Sequence, residues 1–120
     1  MSPLEKEKKR FADAFNGILV FFREGEHAKF ELFFSLLVIT AGFYFDVTKT
    51  EWLVIILCIG FVLTAEALNT AVELLGDHVQ KEKHPEMRNI KDVAAGAVFL
   101  AASAAAAAGF VIFIPYILKL

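Results

Sequence analysis

Long apolar stretches alternate with short polar segments along most of the chain, and this alternation predicts membrane helices. The apolar stretches cover residues 32–45, 52–65 and 93–118. About 20 apolar residues span the hydrocarbon core as a helix, so the last stretch is long enough alone. The first is short and crosses only if its helix takes in flanking residues. The predicted elements are membrane helices at about 29–47, 51–76 and 92–118, with a loop at 77–91.

The N-terminal part has a different pattern, in which apolar residues return every three or four positions. Within residues 5–24 these positions are Phe11, Phe15, Ile18 and Phe22. An amphipathic helix with basic residues before its aromatic stripe is typical of the membrane interface. A helix packed on a soluble core has the same periodicity, but the apolar stretches downstream disfavour that alternative. The predicted fold class is an all-α membrane protein with three transmembrane helices preceded by an N-terminal amphipathic interfacial helix.

The basic residues predict which way the chain crosses the membrane. Residues 1–31 hold six of the 12 lysines and arginines, the turn at 46–51 holds one, and the segment 76–92 holds four. Cytoplasmic segments carry the excess of basic residues in membrane proteins. The N-terminus and the 77–91 loop are therefore predicted to be cytoplasmic, and the short turn and the C-terminus to face outward.

The composition excludes some classes of protein. The chain has 120 residues and 58% of them are apolar, which suits one small domain in a membrane. A net charge of −2 gives no basic face for nucleic acid. Cys58 is the only cysteine and lies in an apolar stretch, so no disulfide framework exists.

The second apolar stretch runs directly into a polar motif, TAEALNTAVELLGD at residues 64–77. At about 100° per residue, five polar side chains of this motif fall on one face of a helix. These residues, here called the polar stripe, are Glu66, Asn69, Thr70, Glu73 and Asp77. Ionisable residues in membrane helices mark functional sites by default. The polar stripe is therefore the candidate site.

The depth of each carboxylate predicts its role. Glu66 lies nearest the hydrocarbon and suits a general base. Glu73 and Asp77 lie where a hydrated cation can reach them, and Mg²⁺ prefers oxygen ligands. Because Mg²⁺ usually accompanies phosphates, the polar stripe indicates nucleotide chemistry at the inner surface. Lys91, at the start of the last apolar stretch, adds an ammonium that can meet a phosphate.

Two alternatives compete with this interpretation. A proton-coupled transporter needs one deep glutamate, and then Glu73 and Asp77 would be surplus. A structural membrane subunit would use the polar stripe to hold helices together. No G-x-x-x-x-G-K or G-x-G-x-x-G motif is present, so a nucleotide site here differs from a P-loop or Rossmann site. His84 precedes Pro85 and is expected on extended or turn backbone.

Three motifs together resemble one family of proteins. They are EALNTAVELLGD at 66–77, KDVAAGAV at 91–98, and the HP within KEKHPEM. This combination resembles the prokaryotic diacylglycerol kinase and undecaprenol kinase family of small integral-membrane lipid kinases. The resemblance covers nearly the whole chain and implies a single lipid-kinase domain over residues 1–120.

The resemblance implies ATP- and Mg²⁺-dependent phosphorylation of a lipid hydroxyl at the cytoplasmic face of the bacterial inner membrane. It also implies a homotrimer whose active sites are shared between neighbouring subunits. Glu66 would be the catalytic base, Asn69 would support it, and Glu73 would hold a metal that bridges the ATP phosphates. The other nucleotide contacts would come from Asp77, Glu82, Lys83, His84, Lys91 and Asp92.

The chain departs from the family pattern in its N-terminal part. The family has a second metal-binding glutamate, and an ungapped match places it at Gly25. Glu24 or Glu26 would have to stand in for it after a small shift. An arginine that contacts ATP in the family falls near Lys6, and Lys6 or Arg10 would take its place.

The lipid substrate is less well defined by these motifs. The segments EALNTAVE, IILCIG and KDVAAGAV resemble the undecaprenol-type members more than the diacylglycerol-type members. Undecaprenol is therefore the favoured substrate, and diacylglycerol is the alternative. Both lipids offer a hydroxyl near the interface on a long apolar body, so the spacing of the residues does not separate them.

Overall fold

The protein is all-helical in the part that the computed structural model describes, residues 1–79 and 84–120. Its helices are α1 (Pro3–Glu24), α2 (Ala28–Tyr44), α3 (Lys49–Val79) and α4 (Pro85–Leu118). No strand occurs among these residues, which confirms the all-α prediction. Two helices, α3 and α4, are long and apolar enough to cross a membrane and are candidate spans.

Helix α2 is shorter than the predicted segment 29–47. Its 17 residues would extend about 25 Å, against a hydrocarbon core of about 30 Å. The helix ends in a turn in which Asp46 adopts a positive φ of 51°. Aspartate tolerates this left-handed conformation better than most residues. The turn brings Val47 N to 3.1 Å from Gly42 O, which closes the end of α2.

The connection between α3 and α4 is shorter than the predicted loop 77–91. Helix α3 continues to Val79 and α4 begins at Pro85, so residues 77–79 and 85–91 are helical. Pro85 occupies the first helical turn, where the missing N–H has no helical partner to lose. His84 is extended, as expected, and its Nδ1 accepts a hydrogen bond from Glu86 N at 3.2 Å. Polar composition was therefore a poor guide to the start of α4, because the cap at His84 lets the helix begin within the polar segment.

Helices α3 and α4 form an antiparallel hairpin, which is the most extensive packing in the fold. At one end Tyr116 of α4 donates a hydrogen bond to Glu51 of α3. The buried apolar residues Val47, Ile55 and Ile112 form a small core at the same end. The hairpin thus holds the polar stripe of α3 against the first half of α4.

Helix α1 crosses the others at its C-terminal end only. It contacts α2 and α3, and Phe21 is its one buried residue. Large apolar side chains elsewhere on the molecule remain exposed, among them Phe15, Phe43, Leu57 and Phe99. An apolar exterior of this extent is typical of helix faces that meet lipid or other protein.

Candidate active site

The polar stripe of α3 lines a cavity of about 650 Å³, here called the polar cavity. The junction between α1 and α2 closes one side of it and α4 the other. All five members of the polar stripe line it, together with Glu24, Gly25, Glu26 and His27 from the junction. The structure therefore brings the predicted stripe and both candidate substitutes for the missing glutamate to a single cavity.

Glu66 lies deepest in this arrangement and is only 4% exposed. Thr70 donates from Oγ1 to the Glu66 carbonyl oxygen at 3.0 Å, which is local helical bonding and leaves the carboxylate free. Within residues 1–79 and 84–120, Glu66 forms no ion pair. Glu66 is thus a buried acidic side chain without an ion-pair partner among the described residues.

Asn69 lies one turn further along the cavity wall. Its Oδ1 is buried and has no hydrogen-bond partner among the described residues. Buried polar atoms are normally paired, and an exception calls for an explanation such as a ligand. An unpartnered amide oxygen beside Glu66 matches a site that completes its hydrogen bonds when a substrate binds.

Lys91 reaches across from α4 to the carboxylates at the other end of the polar stripe. Its Nζ lies 2.6 Å from Asp77 Oδ1 and 3.4 Å from Glu73 Oε2. The Lys91 side chain is 26% exposed, whereas those of Glu73 and Asp77 are 44% and 66% exposed. The ammonium is therefore the most enclosed member of a partly solvated group of three charges.

The N-terminal side of the cavity explains why Gly25 cannot simply be replaced by a glutamate. Gly25 N donates to Phe21 O at 2.7 Å as the chain leaves α1. A Cβ on Gly25 would lie 2.7 Å from that same oxygen and 3.1 Å from the Phe21 ring. Glycine permits this close approach, and a larger residue would require the chain to shift.

Glu24 and Glu26, on either side of Gly25, both line the polar cavity. Glu24 Oε1 lies 3.5 Å from Arg23 Nε, while Glu26 makes no ion pair within the described residues. The prediction that one of them replaces the family's second glutamate stays open between the two.

The donor set fits Mg²⁺ in chemistry, since carboxylate oxygens are the ligands this ion prefers and several line one cavity. No three of the described His, Cys, Asp and Glu side chains converge closely enough to hold a metal together. Lys91 instead fills the position between Glu73 and Asp77. A bound ion would thus require local rearrangement of these side chains.

Other predicted residues lie outside the polar cavity. Lys6 and Arg10 lie in the first half of α1, and Arg10 Nη1 pairs with Glu7 at 3.1 Å. His84 caps α4, and Asp92 is exposed beside Lys91. Glu82 and Lys83 lie outside the described residues. The structure therefore does not bring Lys6, His84 or Asp92 to the stripe.

Two positions that matter for the site were missed from the sequence. His27 lines the cavity, and Gly76 supports Lys91 from within the helix that carries the polar stripe. A glycine between Glu73 and Asp77 in a long helix was the available signal, because glycine is disfavoured in helix interiors and is kept there for packing or function.

Comparison with known proteins identifies the family of the chain. A family model described as "Prokaryotic diacylglycerol kinase" matches residues 12–113. The chain belongs to this family. The matched segment runs from within α1 to near the end of α4 and contains every residue that lines the polar cavity.

Individual family members are similar over most of the chain. The undecaprenol kinase of Bacillus subtilis is 35% identical over 107 residues, which cover 89% of this chain and 87% of the relative. The diacylglycerol kinase of Pseudomonas aeruginosa is 36% identical over 86 residues, 71% of this chain and 69% of the relative. That of Synechocystis sp. is 33% identical over 111 residues, 92% of this chain and 63% of the relative. The chain is thus a lipid kinase, and the transporter and structural alternatives are set aside.

Proposed function

We propose that this lipid kinase transfers the γ-phosphoryl group of ATP to the hydroxyl of undecaprenol and forms undecaprenyl phosphate, with Mg²⁺ as cofactor. The observation that carries the proposal is the polar cavity. Its lining includes a buried carboxylate without a described cation and an unpartnered amide oxygen, and two of its lining carboxylates, Glu73 and Asp77, pair with Lys91 of α4. A base for the hydroxyl proton and a cation for the phosphates suit phosphoryl transfer, in which positioning and charge stabilisation supply most of the catalysis.

In the proposed reaction Glu66 takes the proton from the lipid hydroxyl. The hydroxyl oxygen then forms a bond to the γ-phosphorus while the bond from that phosphorus to the bridging β–γ oxygen breaks, and ADP leaves. Asn69 retains hydrogen-bonding capacity for the reacting groups. Lys91, which pairs with the lining carboxylates Glu73 and Asp77, stabilises charge on the phosphates. When bound, Mg²⁺ would neutralise phosphate charge, held by Glu73 with Glu24 or Glu26.

An apolar groove of about 540 Å³ supports a lipid as the acceptor. It runs between α2, α3 and α4 and is lined by apolar side chains such as Phe34, Val38 and Ile55. Ala102 of α4 lines both this groove and the polar cavity. A lipid whose hydroxyl lies at Glu66 would therefore keep its apolar body in contact with the apolar side chains of the groove.

The choice of undecaprenol rests on the relatives as well as on the motifs. Similarity to a protein named undecaprenol kinase extends through nearly the full length of both chains. Diacylglycerol, which would give phosphatidic acid, is the alternative because several relatives carry the name diacylglycerol kinase.

The proposed setting is the bacterial inner membrane. We propose that α2, α3 and α4 all cross it, that α1 lies in the interface, and that the N-terminus and the 77–91 segment are cytoplasmic. The exposed apolar residues of α1, which include Phe11, Phe15 and Leu19, support the interfacial position. The exposed apolar faces of the other helices support a homotrimer with shared active sites.

The test is a phosphorylation assay on the protein purified in mild detergent. Radiolabelled ATP and Mg²⁺ are supplied with undecaprenol or diacylglycerol in parallel, and label in the lipid is counted. We expect faster labelling of undecaprenol, and at least about a 100-fold lower kcat for Glu66→Gln because the general base is lost.

The matched control is Asp46→Asn, the same carboxylate-to-amide change at the exposed turn after α2, where asparagine also tolerates positive φ. It should leave the rate unchanged. Preferential labelling of diacylglycerol would reassign the substrate. Full activity of Glu66→Gln would remove Glu66 from the catalytic role.

A further inference from the structure

Lys91 and its two carboxylate partners belong to different helices. Glu73 and Asp77 lie on α3, whereas Lys91 lies in the second turn of α4. The ammonium nevertheless reaches 2.6 Å from Asp77 Oδ1, so the lysine side chain must pass closely over the surface of α3. Something on that surface has to leave room for it.

Gly76 is the residue over which the lysine passes. A Cβ on Gly76 would lie 2.8 Å from Lys91 Cε and 2.9 Å from Met87 Sδ. Gly76 is buried beneath these two side chains. Distances under 3 Å between a Cβ and such atoms are essentially absent from real proteins, so any larger residue displaces one or both side chains.

The register of the two helices explains this contact. Gly76 lies between Glu73 and Asp77 in the chain, and its spacing of three residues from Glu73 places these two on the same side of α3. Met87 and Lys91 are four residues apart on α4 and share a face there. Glycine thus forms a notch between the carboxylates, and methionine, which adapts to irregular spaces, lies beside the lysine in it.

We propose that Gly76 and Met87 are positioning residues that seat the Lys91 ammonium between Glu73 and Asp77. A free lysine side chain has many rotamers, and fixing them on binding is unfavourable. A lysine that is already seated meets the nucleotide phosphates with less loss of freedom. The phosphate contact itself rests on the proposed function, whereas the seat rests on the contacts of Gly76.

The first measurement tests the position of the Lys91 ammonium in the absence of nucleotide. An amine-acetylating reagent is applied to the folded protein in detergent, and the labelling rate of Lys91 is followed by mass spectrometry, with Lys6 as internal reference. Gly76→Ala and Met87→Ala should each raise the Lys91 rate several-fold because the ammonium leaves its carboxylates. Gly60→Ala, on the same helix with nothing within 4 Å of the added Cβ, should leave it unchanged.

The second measurement tests how the position of Lys91 affects nucleotide binding. Binding of a non-hydrolysable ATP analogue with Mg²⁺ is measured by calorimetry for Gly76→Ala, Met87→Ala, Lys91→Met and the double variant Gly76→Ala/Lys91→Met. Gly76→Ala should weaken binding by about 3- to 10-fold, a usual coupling between residues in contact. Lys91→Met should weaken it more, and the double variant should bind like Lys91→Met alone, because Gly76 acts only through Lys91.

The outcomes separate this inference from the proposed function. Unchanged Lys91 labelling in both single variants would overturn the seat. Additive losses of binding in the double variant would also overturn it, since Gly76 would then act by another route. Faster labelling together with unaltered binding by Lys91→Met would confirm the seat and refute the phosphate contact. If Gly76→Ala does not fold, Met87→Ala, which introduces no atoms, decides the same questions.

Discussion

At the scale of single residues, the three carboxylates of the polar stripe differ in their distance from the Lys91 ammonium. Asp77 holds the ammonium at 2.6 Å and Glu73 lies further off at 3.4 Å, while Glu66 has no cation among the described residues. Helical arithmetic was enough to predict that these three share one face, because the period of a helix is a local property. The contact of Lys91 and Met87 with Gly76 depends on packing between α3 and α4, which the pattern does not encode.

This division predicts different effects for two neutralising changes. Glu73→Gln should raise the Mg²⁺ concentration needed for half-maximal rate by on the order of tenfold, because it removes a proposed metal ligand. Asp77→Asn should change the Mg²⁺ requirement less, because it chiefly releases Lys91. The measurement is the initial rate of lipid phosphorylation against Mg²⁺ concentration at saturating ATP. Equal Mg²⁺ dependence for Glu73→Gln and the unaltered enzyme would remove Glu73 from the metal site.

At the scale of elements, side chains at the helix ends set where α3 begins and connect it to α4. The motif TKTE at 48–51 is a capping box: Thr48 Oγ1 accepts from Glu51 N at 3.2 Å, and Glu51 Oε1 accepts from Thr48 N at 2.9 Å. The same Glu51 oxygen accepts from Tyr116 of α4, so the start of α3 is tied to the end of α4. A capping box can be read from sequence, since its residues are neighbours in the chain. The hydrogen bond from Tyr116 cannot, because it joins residues far apart in the chain.

The capping box gives a prediction for stability. Thr48→Ala should lower the free energy of unfolding by about 1 kcal/mol, because it leaves a donor of the first turn of α3 unpaired. Thr48→Ser keeps the hydroxyl and should retain most of that stability. Unfolding by sodium dodecyl sulfate in mixed micelles, followed by circular dichroism, measures the difference. Thr50→Ala, which removes the same atoms outside the capping box, is the matched control, and an equal loss there would contradict the cap.

At the scale of the whole molecule, the question is how many helices cross the membrane. Helices α3 and α4 meet the length of a span, and α2, with 17 residues, falls slightly short. Its first turn carries Lys29 and Glu31, and snorkelling of such residues or thinning of the bilayer accommodates a mismatch of a few ångströms. The basic residues before α2 outnumber those in the turn after it, which favours opposite sides of the membrane for the two ends.

Three crossings predict a specific labelling pattern in intact bacterial cells. Cys58 is first replaced by alanine, and single cysteines are then placed at Lys8, Lys49 or Lys119, all exposed positions outside the polar cavity. A membrane-impermeant maleimide should label Lys49→Cys and Lys119→Cys from outside, and Lys8→Cys only after permeabilisation. With only α3 and α4 crossing, positions 8 and 49 would lie on the same side and respond alike. Because α3 and α4 cross the membrane in opposite directions, positions 49 and 119 lie on the same side in both topologies, and labelling at 119 does not distinguish them. The difference in labelling between positions 8 and 49 decides whether α2 crosses.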